Sequence, residues 1–561
     1  MKASTRRDFL RQTALAGGAA LLPGCARLSS VGEAGSQAQI ELAFQQAAKS
    51  AEIAGFSLSK IQRWLHERAL PAIDRETGLY RSAPQFQEWN YRDSAADCYP
   101  FVAWAAFYTD LAVFEGAMRD LLHTEQRLCN HIGRLPVDYD LANRRKFQRS
   151  LDDIIFGASE YAKDGLVAIV EVVGKGEWYE RMKEITEEIF EHATIETPYG
   201  KLPSQNVEVN GDLLQVLPRL YAMSGEAKFL DWAHRVADHY LKPGKFVPSR
   251  LSDHGCEIIG GLGLVLGVDA TACPEKCAEY LPHVRYMCDE IIRRGTNSDG
   301  IIVGDLQPGP GPHDNVILRD GWGYDYVAFL DYDMVTGENR YRKQVEFALS
   351  NLLNPRYENF NWDHNSRDNI ADSVEGGLYL LNRLPVPQGL RWADREIATV
   401  LADNSKPLAE TWLWDTHKLE TNTVRTVLIH AMLHTRNTIA RPWRKDLKLG
   451  AAPLDGGIAI VLRAEQAYEG NLQFDTPRHR RYLGFKQDWP RMNTVPEWFT
   501  VEPDRTPYLV RDLATGKVKS VTGQHLHEGL VVHVAADQPL RLVVKKSWTN
   551  HAGQSFAAGA G

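Results

Sequence analysis

The stretch Asn361–Leu384, NWDHNSRDNIADSVEGGLYLLNRL, gathers side chains at spacings that chemistry can use. Ile370, Val374, Leu378 and Leu381 recur at helical spacing and form one apolar stripe. Asp368, Asp372 and Glu375 recur on another face, with Tyr379 below them. Like charges at that spacing weaken a helix, and no Lys or Arg stands three or four residues from Asp372 or Glu375 to relieve them. Ser366 is placed to cap this helix and Pro385 to end it. Trp362, Asp363, His364 and Arg367 come just before it. An indole, an imidazole and a guanidinium ahead of paired acids are the groups a sugar site with acid/base chemistry requires. The competing explanation is local: Asp368 and Asp372 favour the positive end of the helix.

Further loops carry the same mixture. They are Asn90–Asp97, Asn206–Asp212, Ser252–Glu257 and Arg319–Asp325. Their acids, together with those of the first stretch, give Asp97, Glu257, Asp320, Asp325, Asp372 and Glu375 as candidates for proton transfer. Glu257 opens an apolar run directly after His254, and Asp320 stands between Arg319 and Gly321-Trp322-Gly323. Burial beside aromatics raises a carboxyl pKa and suits it to donate a proton. Taken singly, each acid is also explained as a helix cap or a salt bridge. Arg92, Arg319, Arg367 and Arg425 are placed to fork onto a sugar carboxylate, and Trp89, Trp322, Trp362, Trp412 and Trp414 to stack on sugar faces. Interhelical ion pairing for Arg425 and core packing for each Trp are the alternatives.

The elements that must position these groups are mostly helices. From about residue 38 to 438 apolar residues recur with helical period, broken by Gly, Pro, Asn and Asp clusters. The decorated loops repeat about every fifty to sixty residues, as helical hairpins in a ring require. The expectation is an (α/α)6 toroid over 38–444 with all its decorated loops at one mouth. Short β-branched runs after Lys445, such as Ile458–Leu462, Leu530–Val534 and Leu540–Val544, predict a small all-β, sandwich-like domain over 445–546, and residues 547–561 read as a disordered tail.

The N-terminus carries Thr5-Arg6-Arg7-Asp8-Phe9-Leu10, a twin-arginine sequence, then a short Ala- and Gly-rich apolar run ending in Leu22-Pro23-Gly24-Cys25. Residues 1–25 read as an export signal with Cys25 as the lipidated first residue, and 26–37 as a tether. The expected location is the periplasm or cell surface, with membrane contact only through that lipid. The chain of 561 residues has a net charge of −8 and no basic run with interleaved aromatics, which disfavours nucleic acid. Cys273 and Cys277 are close enough to pair, or to join Cys288 as three zinc ligands that lack a fourth at standard spacing; folding in a reducing cytoplasm before export instead makes free buried thiols the expectation for these and for Cys98, Cys129 and Cys256. Gly260-Gly261-Leu262-Gly263 follows no strand and is not a dinucleotide turn. No cofactor and no metal are implied.

Four phrases carry a resemblance: Asp93–Phe101, Asp253–Glu257, Ala371–Gly376 and Asn422–Thr426. Over Arg81 to Thr438 the chain resembles glycoside hydrolase family 154, exo-β-glucuronidases, and more distantly the unsaturated uronyl hydrolases of families 88 and 105. The resemblance implies removal of terminal glucuronic or unsaturated uronic acid from a polysaccharide. The chemistry of the residues then assigns Glu257 or Asp320 as acid or base, partnered by Asp372 or Glu375, with Arg92, Asp97, His254, Arg319, Trp322, Tyr324, Trp362, His364, Arg367 and Arg425 binding the sugar. The alternatives are a polysaccharide lyase with Tyr91, Tyr324, His254 or His364 as base, a glycan-binding protein without turnover, and a sugar isomerase or epimerase, against which the export signal argues.

Overall fold

A computed structural model describes residues 25–83, 85–252, 254–362, 370–401 and 421–547, with side chains from residue 37 onward. The twin-arginine sequence, Asp253, Asp363, His364, Ser366, Arg367, Asp368, Trp412, Trp414 and the tail from 548 lie outside the described residues.

Two kinds of helix alternate. Inner segments are apolar on every side, as in Cys256–Ala272 (CEIIGGLGLVLGVDATA), which is buried continuously from Cys256 to Asp269. Outer helices are amphipathic. In Glu177–Glu191, Trp178, Met182, Ile185 and Ile189 turn inward at helical spacing while Glu180, Glu184, Glu187 and Glu191 remain more exposed. A helix apolar all round must have neighbours all round, and the inner segments duly form a ring. In ring order they are Tyr91–Cys98 continuing into Tyr99–Thr109, the continuous wall Leu151–Glu160, Tyr161–Val167 and Ala168–Val173, then Val207–Ser224, Cys256–Ala272, Trp322–Thr336, Ala371–Arg383 and Thr421–Thr435, which closes on the first. The fold is thus the expected α/α toroid followed by a β domain. Thr421–Thr435 adds a seventh wall to the six pairs of the sequence reading, with the long helix Cys25–Trp64 packed outside it. Residues 26–37, expected as a tether, are helical backbone at the start of that helix.

Close approach of the walls depends on glycine at two crossings. A Cβ on Gly261 would stand 2.6 Å from Leu214 Cβ and 2.9 Å from Gly211 O. One on Gly323 would stand 2.5 Å from the carbonyl carbon of Gly376. The Gly260–Gly263 run is therefore a helix-packing device.

The β domain begins with β1 (Ile439–Arg441), a few residues ahead of the expected boundary. It continues with β2 (Leu447–Leu454), β3 (Gly457–Ala464), β4 (Tyr468–Gln473), β5 (Pro507–Asp512), β6 (Val518–Thr522), β7 (Leu530–Val534) and β8 (Leu540–Lys546). All pairing is antiparallel, in a five-stranded sheet β6-β5-β8-β3-β2 and a three-stranded sheet β7-β4-β1. Ile460, Leu462, Leu472, Val532 and Val544 share the core between the sheets. The opposite face of the larger sheet, Ala452, Ala459, Val461 and Val543, packs on Ala43, Phe44 and Ala47 of the first helix. Burial on both faces explains why Ile458–Leu462 is continuously apolar.

Between β4 and β5 the chain leaves the domain and returns to the toroid. Val495, Trp489 and Met492 join the toroid core. Beneath them Glu171, Arg219 and Arg491 form a buried cluster. Arg219 Nε donates to Glu171 Oε1 at 2.8 Å, Arg491 Nε donates to the same oxygen at 2.9 Å, and Thr494 Oγ1 donates to Oε2 at 3.0 Å. Burial opposes the charge of Glu171, but Arg491 and Arg219 outweigh it and hold the carboxyl below its usual range.

Candidate active site

The N-terminal parts of most inner segments, with the middle of the second wall, surround one cavity of about 260 Å³. Every wall contributes to it: Asp97 from the first, Glu160, Lys163 and Asp164 from the second, Glu208 from the third and Cys256 and Glu257 from the fourth. Tyr324 comes from the fifth wall, Asp372 from the sixth, and Asn422 and Arg425 from the seventh, with His254 and Asp320 from the preceding loops. Met492 and Asn493 come from the excursion of the β domain. Arg219, three turns into its helix, donates to Met492 O at 2.8 Å, and a Cβ on Gly260 would meet Met492 Cε at 2.9 Å. Both contacts lie deeper than Glu208 and Glu257, so Met492 floors the cavity, which is a pit.

Asp97, His254, Glu257, Asp320, Tyr324, Asp372 and Arg425 thus converge as the sequence suggested. Several other candidates do not. Trp322 and Trp362 are 1% and 0% exposed and lie in an aromatic cluster with Trp392, at centroid separations of 5.2–6.3 Å. Tyr324, two residues and about 200° round the helix from Trp322, faces the pit, so the indole must face the outer ring. Trp89 is buried too, against Tyr161. Among the described residues Tyr324 is the aromatic that lines the pit, not an indole. Arg319 is exposed and outside the lining. Arg92 is half-exposed, its guanidinium 4.1 Å over Phe156 with Nε 3.3 Å from Glu160 Oε2, and is not a lining residue. Asp325 is fully buried behind the lining, and burial, then Glu257 and Asp320, push its carboxyl well up.

Glu375 lies one turn deeper than Asp372 and is 1% exposed. Tyr379 OH donates to its Oε1 at 2.5 Å, and Tyr324 OH donates to its Oε2 at 2.5 Å. Arg425 Nη2 reaches the same Oε2 at 2.8 Å and also pairs with Asp372 Oδ1. With its oxygens so occupied, Glu375 positions Arg425 and Tyr324 rather than meeting a substrate. Arg425, only 6% exposed, has its charge taken up by these two acids and rests over the Phe101 ring at 5.0 Å. Burial, then Asp372 and Glu375, push the Tyr324 phenol well above its ordinary value.

Glu160, Lys163 and Asp164 were not foreseen. They belong to a mid-wall stretch with no loop signal, where Tyr161–Val167 adopts wider π-type turns. Such turns recur at functional sites. Lys163 Nζ donates to Asp164 Oδ1 and to Glu257 Oε2, both at 2.7 Å. Burial alone would lower the Lys163 ammonium, but Asp164, Glu257 and Asp212 outweigh it and raise it. Gln215 Nε2 donates to Glu257 Oε2 at 2.5 Å, and Asn493 Nδ2 to Asp164 Oδ1 at 3.2 Å. Burial pushes the Asp164 carboxyl up to about 7; Lys163 pulls against this and Glu257 adds to it. Burial, then the charges of Asp212, Glu208, Asp97 and Asp164, push Glu160 well above the carboxylate range.

His254 takes a left-handed backbone conformation, φ 66°, and its Nδ1 pairs with Glu208 Oε1. Held strain of this kind is typical of functional positions. Glu160, Glu208 and His254 bring one ligand atom each within 4.8 Å of one another and are the lining residues able to hold a cation. Among the described residues, Cys98, Cys129, Cys256, Cys273, Cys277 and Cys288 form no disulfide.

No family model matches this chain, and no curated protein matches it. Among solved structures it is similar to an α-1,6-mannanase from a Salegentibacter species, at 11% identity, covering 67% of this chain and 98% of that one with a TM-score of 0.39. It is also similar to the cellobiose 2-epimerase of Spirochaeta thermophila, at 12% identity, 67% and 95% coverage and a TM-score of 0.38. A third is a β-L-arabinofuranosidase from Geobacillus stearothermophilus, at 10% identity, 88% and 76% coverage and a TM-score of 0.35.

Proposed function

We propose that the chain is a glycoside hydrolase that removes a sugar from a chain end inserted into the pit, with Asp164 as proton donor and Asp372 as the charged carboxylate. The observation that carries this is the inequality of the two groups. On the second wall stands a carboxyl whose burial lifts its pKa to about 7. Across the ring, on the sixth wall, stands a carboxylate clamped by Arg425 and Tyr324. Glycoside hydrolysis needs this pairing: one carboxyl protonates the departing oxygen, while the other attacks the anomeric carbon or activates a water. Lys163 and Asn493 both donate to Oδ1 of Asp164, which directs the proton to Oδ2. The floor formed by Met492 favours a chain end over a chain middle.

The departing sugar in this proposal is glucuronic or unsaturated uronic acid, on the strength of the sequence resemblance. Arg92 at the rim, beside Glu160, and Lys163 and Arg425 inside, each shared between two acids, are the cations it would meet. The lifted pKa values of Glu160 and Asp164 keep protons on them towards neutral pH and reduce the negative charge facing a uronate. A lyase using Tyr324 as base is disfavoured, because the same burial and acids oppose formation of its phenolate. The enzyme is further proposed to leave the cytoplasm by the twin-arginine route and to be anchored through Cys25.

The test is a panel of oligosaccharides capped with uronic acid or with neutral sugars, followed by product analysis. Free uronate released from chain ends supports the reading. Release of neutral sugars alone refutes the uronate assignment and keeps the hydrolase. An unsaturated product absorbing in the ultraviolet, or no turnover on any member, refutes the hydrolase.

A further inference from the structure

A second cluster lies about one and a half to two and a half turns down the Thr421–Thr435 helix from Arg425, away from the pit. His430 and His434 sit four residues apart on one helical face, with Nε2 atoms 3.2 Å from each other. Each Nε2 is 3.0 Å from the same atom, Oδ1 of Asp394, on the outer helix Pro387–Leu401. Three donor atoms therefore form a triangle with edges of 3.0, 3.0 and 3.2 Å. A tetrahedral zinc ion with bonds of about 2.0–2.1 Å spaces its ligand atoms about 3.3 Å apart. A point about 1 Å off the plane of this triangle lies at bonding distance from all three atoms.

From this geometry we infer that Asp394, His430 and His434 form a three-ligand site for a divalent first-row cation, with zinc as the best-fitting ion. Two imidazoles and a carboxylate are the donor set such ions take. The support around the ligands agrees. His434 Nδ1 lies 3.0 Å from Ser50 Oγ of the first helix, the outer contact that fixes the ring of a metal-binding histidine. Asp394 and His430 also line a mostly apolar cavity of about 510 Å³, which gives an ion a way in and leaves space for a further ligand. The competing cation is Lys49, whose Nζ lies 3.8 Å from Oδ2 of Asp394, not Oδ1, and whose side chain is 74% exposed. The site would tie together the first helix, an outer helix and an inner wall, with no contact to the pit.

The experiment uses chelator-treated full-length protein titrated with zinc by calorimetry, with cobalt(II) absorption as a second readout. One zinc per chain is expected, with a visible cobalt spectrum of tetrahedral type and a higher Tm in excess zinc. Lys49→Ala, a surface change, is expected to bind at least as tightly. His434→Gln and Asp394→Asn are expected to weaken binding at least tenfold, while His254→Gln retains it. Failure of the wild type to take up one equivalent, or unchanged binding in both His434→Gln and Asp394→Asn, overturns the assignment and leaves the three side chains as a hydrogen-bonded clamp.

Discussion

At the scale of single residues, the account turns on which carboxyl holds a proton. Asp164 has an ordinary pKa of 3.8 and is lifted to about 7 by burial, despite Lys163. As proton donor it must be protonated, so kcat/KM is expected to fall above about pH 7. Asp164→Asn is expected to remove that limb and cost about 10²–10⁴-fold on substrates with poor leaving groups. Substrates whose leaving group needs no proton should be spared, and equal losses on both kinds would reject the assignment. The same shift has a stability consequence. Because the folded pKa is raised, the group favours folding below its unfolded value near 3.8, and that contribution is lost as pH rises through about 7. What the sequence conveyed at this scale was partial. Acids placed at the openings of helices, Glu257 and Asp372, reached the pit because their inner segments start at the same mouth. Trp322 and Glu375 did not, because helical phase and depth within a loop-to-helix junction depend on where the first turn begins. Asp164 and Glu160 lie in a mid-wall stretch whose π-type turns have no mark in composition.

At the scale of elements, glycine sets how closely the walls approach and so where the side chains end up. Tyr324 follows Gly323, whose Cα lies against Gly376 on the next wall. That crossing brings the Tyr324 hydroxyl 2.5 Å from Glu375 Oε2 and 3.3 Å from Asp372 Oδ1. Gly323→Ala puts a methyl group 2.5–2.8 Å from backbone atoms, which cannot move aside as a side chain can. The expected cost is about 1–3 kcal/mol of stability, read by denaturant unfolding, with a drop in kcat as Tyr324 and Asp372 shift. A variant with wild-type stability and rate would show that the crossing does not position the site. The helices were legible from periodicity. Their inner and outer roles followed from apolar residues on all sides against apolar residues on one.

At the scale of the whole molecule, the β domain is part of the site. Its excursion supplies Met492 and Asn493 to the pit and meets Glu171 and Arg219 of the toroid through Arg491. Nothing in the sequence between β4 and β5 announced this, since long-range docking of an irregular segment leaves no periodic trace. Removing the charge at the centre of a buried ion cluster strands its partners, at about 3–5 kcal/mol. Glu171→Gln is therefore expected to lower Tm sharply, and calorimetry of the parent is expected to give one transition for toroid and β domain together. Two separated transitions, with only one moved by Glu171→Gln, would show that the domains are not locked through this cluster. The most direct measurement for the account as a whole is sugar release from the best substrate of the panel by the parent, Asp372→Asn and Asp164→Asn at matched folding. Losses of at least about a hundredfold in both variants, with product unchanged in kind, are predicted. Turnover near the parental rate in either variant would contradict it.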